Sequence, residues 1–186
     1  MKVIAGKYRG RVLKTLKGDN TRPTTSKNKE SLFNIIGPYF QGGIALDLFA
    51  GSGSLGIEAI SRGINQCYFV DNSYKATTII KENLFKLEIF DGYVYKNDAL
   101  NILDLFKQRE IQFDLVFLDP PYKQELSIKS MKRLVDLDLL NSKAIVVIEE
   151  DKSVDLLKEY NQLILLKRVV YGICSLHIYQ YQKELL

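Results

Sequence analysis

The stretch Ile44-Ala45-Leu46-Asp47-Leu48-Phe49-Ala50-Gly51-Ser52-Gly53-Ser54-Leu55-Gly56-Ile57-Glu58-Ala59 leaves little choice of local structure. A short apolar run enters two closely spaced glycines and resumes with apolar residues three to four apart, which predicts strand, tight loop, helix. Gly51 and Gly53 let a ligand lie against the backbone over the start of that helix. With Gly56 they spell G-x-G-x-x-G, a pattern shared by dinucleotide and nucleoside binders and compatible, taken alone, with a bare strand-helix turn. Three later positions sharpen it. Asp71 closes a second apolar run, Cys67 to Asp71, about twenty residues on, where a carboxylate meets a ribose diol in folds of this kind. Asp98 follows a third run, Tyr93-Val94-Tyr95, and a fourth, Phe113 to Leu118, leads into Asp119-Pro120-Pro121-Tyr122.

These runs belong to an alternation. Strands are expected at 44–48, 67–71, 92–96, 113–118 and 144–148, with helices at 55–62, 74–87, 100–108 and 126–139. Short continuous apolar strands alternating with helices imply a parallel sheet buried between two helical layers. Ligands of such sheets bind beyond the carboxyl ends of the strands, near the switch in strand order. Gly51, Asp71, Asp98 and Asp119 all follow strand ends, so they converge on one edge. From Gln162 to Tyr181 the pattern changes to two strands meeting at Tyr171-Gly172, a terminal antiparallel hairpin that most dinucleotide-binding domains lack.

Asp47-Leu48-Phe49-Ala50-Gly51-Ser52-Gly53, followed some seventy residues later by Asp119-Pro120-Pro121-Tyr122, resembles the S-adenosylmethionine (SAM) dependent methyltransferases that act on exocyclic amines of bases. Over nearly its whole length the chain resembles the RsmD family, bacterial enzymes that methylate N2 of a guanine in small-subunit ribosomal RNA. The matching pieces are Met1 to Arg11, Arg22-Pro23-Thr24-Thr25, Glu30-Ser31-Leu32-Phe33-Asn34, the glycine loop, Asp119 to Tyr122, and Tyr171-Gly172. The resemblance implies a class I, Rossmann-like α/β fold with a seven-stranded, mostly parallel sheet. It also implies SAM as cofactor, no metal, and Asp119, Pro120, Pro121 and Tyr122 as the catalytic group. Asp47 would help position the methionine part of SAM, Gly51 and Gly53 would let it lie against the backbone, Asp71 would take the ribose hydroxyls and Asp98 the adenine amine. Phe49, Ala50, Ser52, Asn72 and Ala99 complete the cofactor-binding set, the last two adjoining Asp71 and Asp98. Asp98 also suits a helix cap. The segment around Glu30, Phe33 and Asn34 lies beside the pocket in the family, although Phe33 on an apolar helix face equally suits the core.

The first thirty residues hold nine lysines and arginines against Asp19 and Glu30, in a chain whose total is +4. This is the footprint of a polyanionic partner, or a solvated basic face. Residues 1–24 read as a basic β-hairpin extension on a methyltransferase domain of 25–186. Lys7, Tyr8, Arg9, Arg11 and Arg22 are the candidate RNA contacts, and Tyr8 either stacks on a base or packs on its own hairpin. Cys67 and Cys174 lie within apolar runs and no secretory segment precedes Met1, so reduced thiols in a cytoplasmic protein are expected. His177, the single histidine, sits mid-strand with no nucleophile or ligand cluster and reads as structural.

Three other functions fit parts of the pattern. An NAD-dependent oxidoreductase would use the same glycine loop but needs an acid or base that Asp-Pro-Pro-Tyr does not supply. A DNA adenine-N6 methyltransferase would use the same tetrapeptide, but only the first 43 residues remain for target recognition. A non-catalytic RNA-binding module would leave the set of site residues without purpose. The expected substrate is small-subunit rRNA in a partly assembled particle.

Overall fold

The structure is a computed structural model that describes residues 1–16, 26–120 and 124–183. After an N-terminal arm, the elements are α1 (Ser26–Ile36), β1 (Ile44–Asp47), α2 (Ser54–Ser61), β2 (Gln66–Asp71), α3 (Tyr74–Lys86), β3 (Gly92–Lys96), α4 (Ala99–Gln108), β4 (Phe113–Leu118) and α5 (Gln124–Asp136). Four more strands follow: β5 (Leu140–Asp151), β6 (Glu159–Tyr160), β7 (Leu163–Tyr171) and β8 (Cys174–Tyr181). They form one sheet in the order β3-β2-β1-β4-β5-β8-β7-β6. The first five are parallel, while β8, β7 and β6 add antiparallel neighbours.

Both faces of the central strands are buried, and the two-residue alternation of strands divides the core. Leu46, Val70, Val116, Leu118, Val146 and Ile148 face α4 and α5. Ala45, Cys67, Phe69, Leu115, Phe117 and Val147 face the arm, α1, α2 and α3. The order reverses between β1 and β4, so a crevice opens beyond their carboxyl ends.

Three features differ from the sequence-based expectation. The sheet has eight strands rather than seven, because Glu159–Tyr160 pairs with Leu163 and Ile164 as a short edge. Strand β5 begins at Leu140 instead of 144, and the additional residues are absorbed by a register shift opposite Phe113 and Leu115 and by Lys143 at φ +67°. The N-terminal hairpin is reduced to one antiparallel bridge, Lys2 to Val12, around the turn at Gly6–Gly10.

Candidate active site

Leaving β1, the chain is held between its two neighbours: the Leu48 amide donates to the Phe117 carbonyl and the Ala50 amide to that of Val70. It then turns through Gly51 at φ +54° and Gly53 at φ +76° into α2. A Cβ built on Gly51 would meet nothing within 4 Å, so the loop is open there to a ligand, whereas one on Gly56 would collide with the Phe69 ring and the Cys67 sulfur. The third glycine therefore serves helix-strand packing. Three amides of the loop and the first turn of α2 are already engaged. Gly51 donates to Asp71 Oδ2 at 2.9 Å, Gly53 to the Ala50 carbonyl at 2.6 Å, and Gly56 to Asp47 Oδ2 at 3.0 Å. Part of the donor set that would bind a dinucleotide's pyrophosphate is thus taken by the protein's own oxygens.

What the crevice offers instead is negative charge. Leu46, Val70, Leu118 and Ile148 all point to the α4–α5 side, so alternation turns the next residues, Asp47, Asp71, Asp119 and Glu149, toward the α1–α3 side. Burial, with the nearby Asp71 charge and against the Gly56 hydrogen bond, raises the Asp47 carboxyl to about 7. Burial raises the Asp119 carboxyl well above the usual carboxylate range, assisted by the charges of Glu149, Asp47 and Glu150. A ligand carrying a sulfonium and an ammonium would relieve this repulsion, and a ligand carrying phosphates would worsen it. The residues present therefore fit SAM and not NAD.

Asp71 accepts from the Gly51 amide on one oxygen and from the Ser73 amide on the other, which fixes its carboxylate beside the loop with lone pairs left for a diol. Asp98 caps α4, taking the Leu100 and Asn101 amides on the single oxygen Oδ1 at 2.9 and 3.1 Å. Ser52 is half-buried in the loop, Gly53 and Ala50 are buried, Phe49 packs on the α4–α5 core, and Asn72 and Ala99 follow β2 and Asp98. Asp119 and buried Pro120 stand at the end of β4. Pro121, Tyr122 and Arg22 lie outside the described residues. Phe33 is a core residue, packed on Phe40, Phe117 and the Arg62 guanidinium.

The basic turn is not at this edge. Lys7 donates its amide to the Ser61 carbonyl at 2.8 Å and Tyr8 to Ser61 Oγ at 3.0 Å. Ser61 ends α2, so about 12 Å of helix separates the turn from the glycine loop. Lys7, Arg9 and Arg11 are exposed there. Tyr8 is half-buried against the α1–α3 core, with the Lys7 ammonium 5.2 Å from its ring centroid.

Several residues that hold these parts together were not among the candidate site residues. Glu58 of α2 accepts the Ile4 and Ala5 amides and pairs with Lys29 at 3.0 Å and Arg62 at 2.8 Å, all three side chains being buried. Lys29 also donates to the Lys2 carbonyl and to Ser54 Oγ. Asn83 bonds both Lys14 backbone groups and the Ser52 carbonyl, tying the arm to the glycine loop. Ser31 hydrogen-bonds Tyr171, joining α1 to the β7–β8 turn. Charged or amide side chains at core positions of an amphipathic helix were the available signal.

A separate depression of about 340 Å³ opens at the opposite edge, but its one carboxylate, Asp114, is bonded to the Ile44 amide and the Asn141 amide group. Among the described residues no group of three or more His, Cys, Asp or Glu side chains is disposed to hold a metal, and no helix is long and apolar enough to cross a membrane.

The family model described as "Conserved hypothetical protein 95" matches residues 1–180. The Bacillus subtilis protein YlbH, provisionally named an rRNA methyltransferase, is 46% identical over 182 residues, covering 97% of this chain and 98% of its own. Ribosomal RNA small subunit methyltransferase D of Haemophilus influenzae is 36% identical over 184 residues, covering 97% and 93%. Among solved structures, Escherichia coli YhhF, provisionally a methyltransferase, superposes with a TM-score of 0.86 at 28% identity over 99% of each chain.

Proposed function

Because the chain belongs to the RsmD family and is a SAM-dependent rRNA methyltransferase, we propose that it methylates the exocyclic N2 amine of one guanine in 16S rRNA. The reading extends to a partly assembled small subunit as the cytoplasmic substrate. The observation that carries it is the meeting of Asp119-Pro120 with the open glycine loop and the carboxylates of one sheet face.

Bound SAM supplies an electrophilic methyl group and a neutral thioether leaving group. The protein's part is to bring an amine in line with it. A guanine amine is nearly planar, its lone pair delocalised into the ring. The Asp119 carboxylate and the Pro120 carbonyl accept its two N–H groups, which favours a pyramidal nitrogen with its lone pair directed at the methyl carbon. With SAM bound, the N–C bond would form as the C–S bond breaks, the electron pair leaving on sulfur, and the residues at 119 and 120 would hold the amine in line. The nitrogen then sheds a proton, for which Asp119, with its raised affinity for protons, is the acceptor. Proline at 120 and 121 restricts the backbone that aims the carbonyl, and Tyr122 is assigned from sequence to stack on the base.

The test is tritiated-methyl transfer to small-subunit particles from cells lacking the protein, followed by mapping of the labelled base. Label on N2 of a single guanine is expected, and label on an adenine or cytosine amine would overturn the assignment. Asp119→Asn should lower kcat by about a hundredfold or more while leaving SAM affinity within about threefold.

A further inference from the structure

Asp119 is not the only carboxylate at the place where the base must sit. Strand β4 pairs in parallel with β5, Phe117 opposite Val147 and Leu118 opposite Ile148. Continuing that register by one residue sets Asp119 beside Glu149, on strands about 4.8 Å apart. Both residues follow side chains of the α4–α5 core, so both turn to the opposite face, which also holds Asp47. On its other side Glu149 is opposite Leu176 of β8, whose side chain belongs to the α1–α3 core. The neighbouring Glu150 behaves differently: it points to the α5 side and accepts a hydrogen bond from Ser127. Glu149 is therefore the acidic residue of β5 that shares the face of the candidate catalytic carboxylate.

We propose that Glu149 is the residue that selects guanine, by accepting the ring N1–H while Asp119 and the Pro120 carbonyl accept the N2 amine. This assignment rests on the guanine reading above. Its chemical basis is the donor pattern of the bases. Beside its exocyclic amine, guanine carries a protonated ring nitrogen, whereas adenine N1 and cytosine N3 carry lone pairs. Two adjacent carboxylates match two adjacent donors on one edge of guanine. Against adenine or cytosine the second carboxylate would face a lone pair, in an enclosed site where an unmatched polar group is costly. Asp-Pro-Pro-Tyr alone has no such preference, since it engages only the amine.

The decisive probe is 2-aminopurine, which keeps the amine at C2 but has an unprotonated N1. Small subunits are reconstituted with rRNA carrying either guanine or 2-aminopurine at the mapped position, and methyl transfer is followed with wild type, Glu149→Gln and Glu149→Asp. At saturating SAM, wild type is expected to favour guanine by about a hundredfold in kcat/KM, and E149Q to narrow that ratio to below about tenfold. E149D, which retains the charge one methylene further back, should keep a preference for guanine at a reduced rate, and it carries the test if E149Q is unstable. An equal loss on both substrates, or an unchanged ratio, would overturn the role of Glu149. Wild-type transfer to an adenine or cytosine amine would instead overturn the guanine reading itself, so the two failures are distinguishable.

Discussion

At the scale of single residues, the site is defined by carboxyls held away from their ordinary ionisation. In the proposed mechanism Asp119 must be ionised to accept the amine N–H groups, and burial with Glu149 and Asp47 raises the pH at which this happens. Methyl transfer should accordingly fall off on the acid side above the usual carboxylate range. Glu149→Gln removes one neighbouring charge and should move that limb to lower pH; a pH profile of kcat in both proteins measures it, and a limb that does not move would contradict the coupling. Asp47 adds a stability consequence. A carboxyl whose folded pKa is raised from 3.8 to about 7 binds protons better in the native state, so it weakens the fold as pH rises through that window. Asp47→Asn should therefore stabilise the ligand-free protein at pH 8, by up to roughly 4 kcal/mol, and hardly at all near pH 4. Urea unfolding at the two pH values would show it. His177 has the opposite sign: burial lowers its pKa, so its contribution is present above about pH 6.5 and is lost as pH falls.

At the scale of elements, helix ends and one buried ion cluster decide how the parts meet. Helices α3, α4 and α5 each end in a non-glycine residue of positive φ, namely Glu88, Glu110 and Asp138. In each case the following amide reaches back five residues, Ile89 to Leu84, Ile111 to Phe106 and Leu139 to Leu134, and the following side chain enters the core. Glu110→Gly relieves the strain and should gain about 0.5–1 kcal/mol, a rise of a few degrees in Tm. Loss of stability on that change would mean that the glutamate makes a contact outweighing its conformation. Glu58 joins the arm to α1 and α2. Burial opposes its charge, yet Lys29, the Ile4 amide and Arg62 hold its carboxyl below the usual range, while burial lowers Lys29. Glu58→Gln would leave two buried cations short of a counter-charge and should cost about 3–5 kcal/mol, seen as a lowered urea midpoint.

At the scale of the whole molecule, the basic turn and the candidate reacting groups lie at opposite ends of α2. Under the proposed function, Lys7, Arg9 and Arg11 would grip phosphates away from the target base, and the RNA footprint would span α2. Changing the three to alanine should weaken RNA binding at least about tenfold at low salt and reduce the salt slope by about three, with little change in kcat at saturating RNA. A fall in kcat with affinity unchanged would place them at the chemistry instead. The local spacing of residues 44–59 already determined strand, glycine turn and helix, because backbone freedom and apolar period act within a few residues. The alternation determined a parallel sheet, and the apolar runs placed Asp71 and Asp119 at the carboxyl ends of β2 and β4. Register and helix docking were not legible. That Glu149 stands beside Asp119 follows from the pairing of β4 with β5, and that Lys7 lies beyond Ser61 follows from how the arm folds onto α2. Both depend on contacts between distant parts of the chain, whose geometry is set by packing the two faces of the sheet together and is encoded by no short pattern of residues.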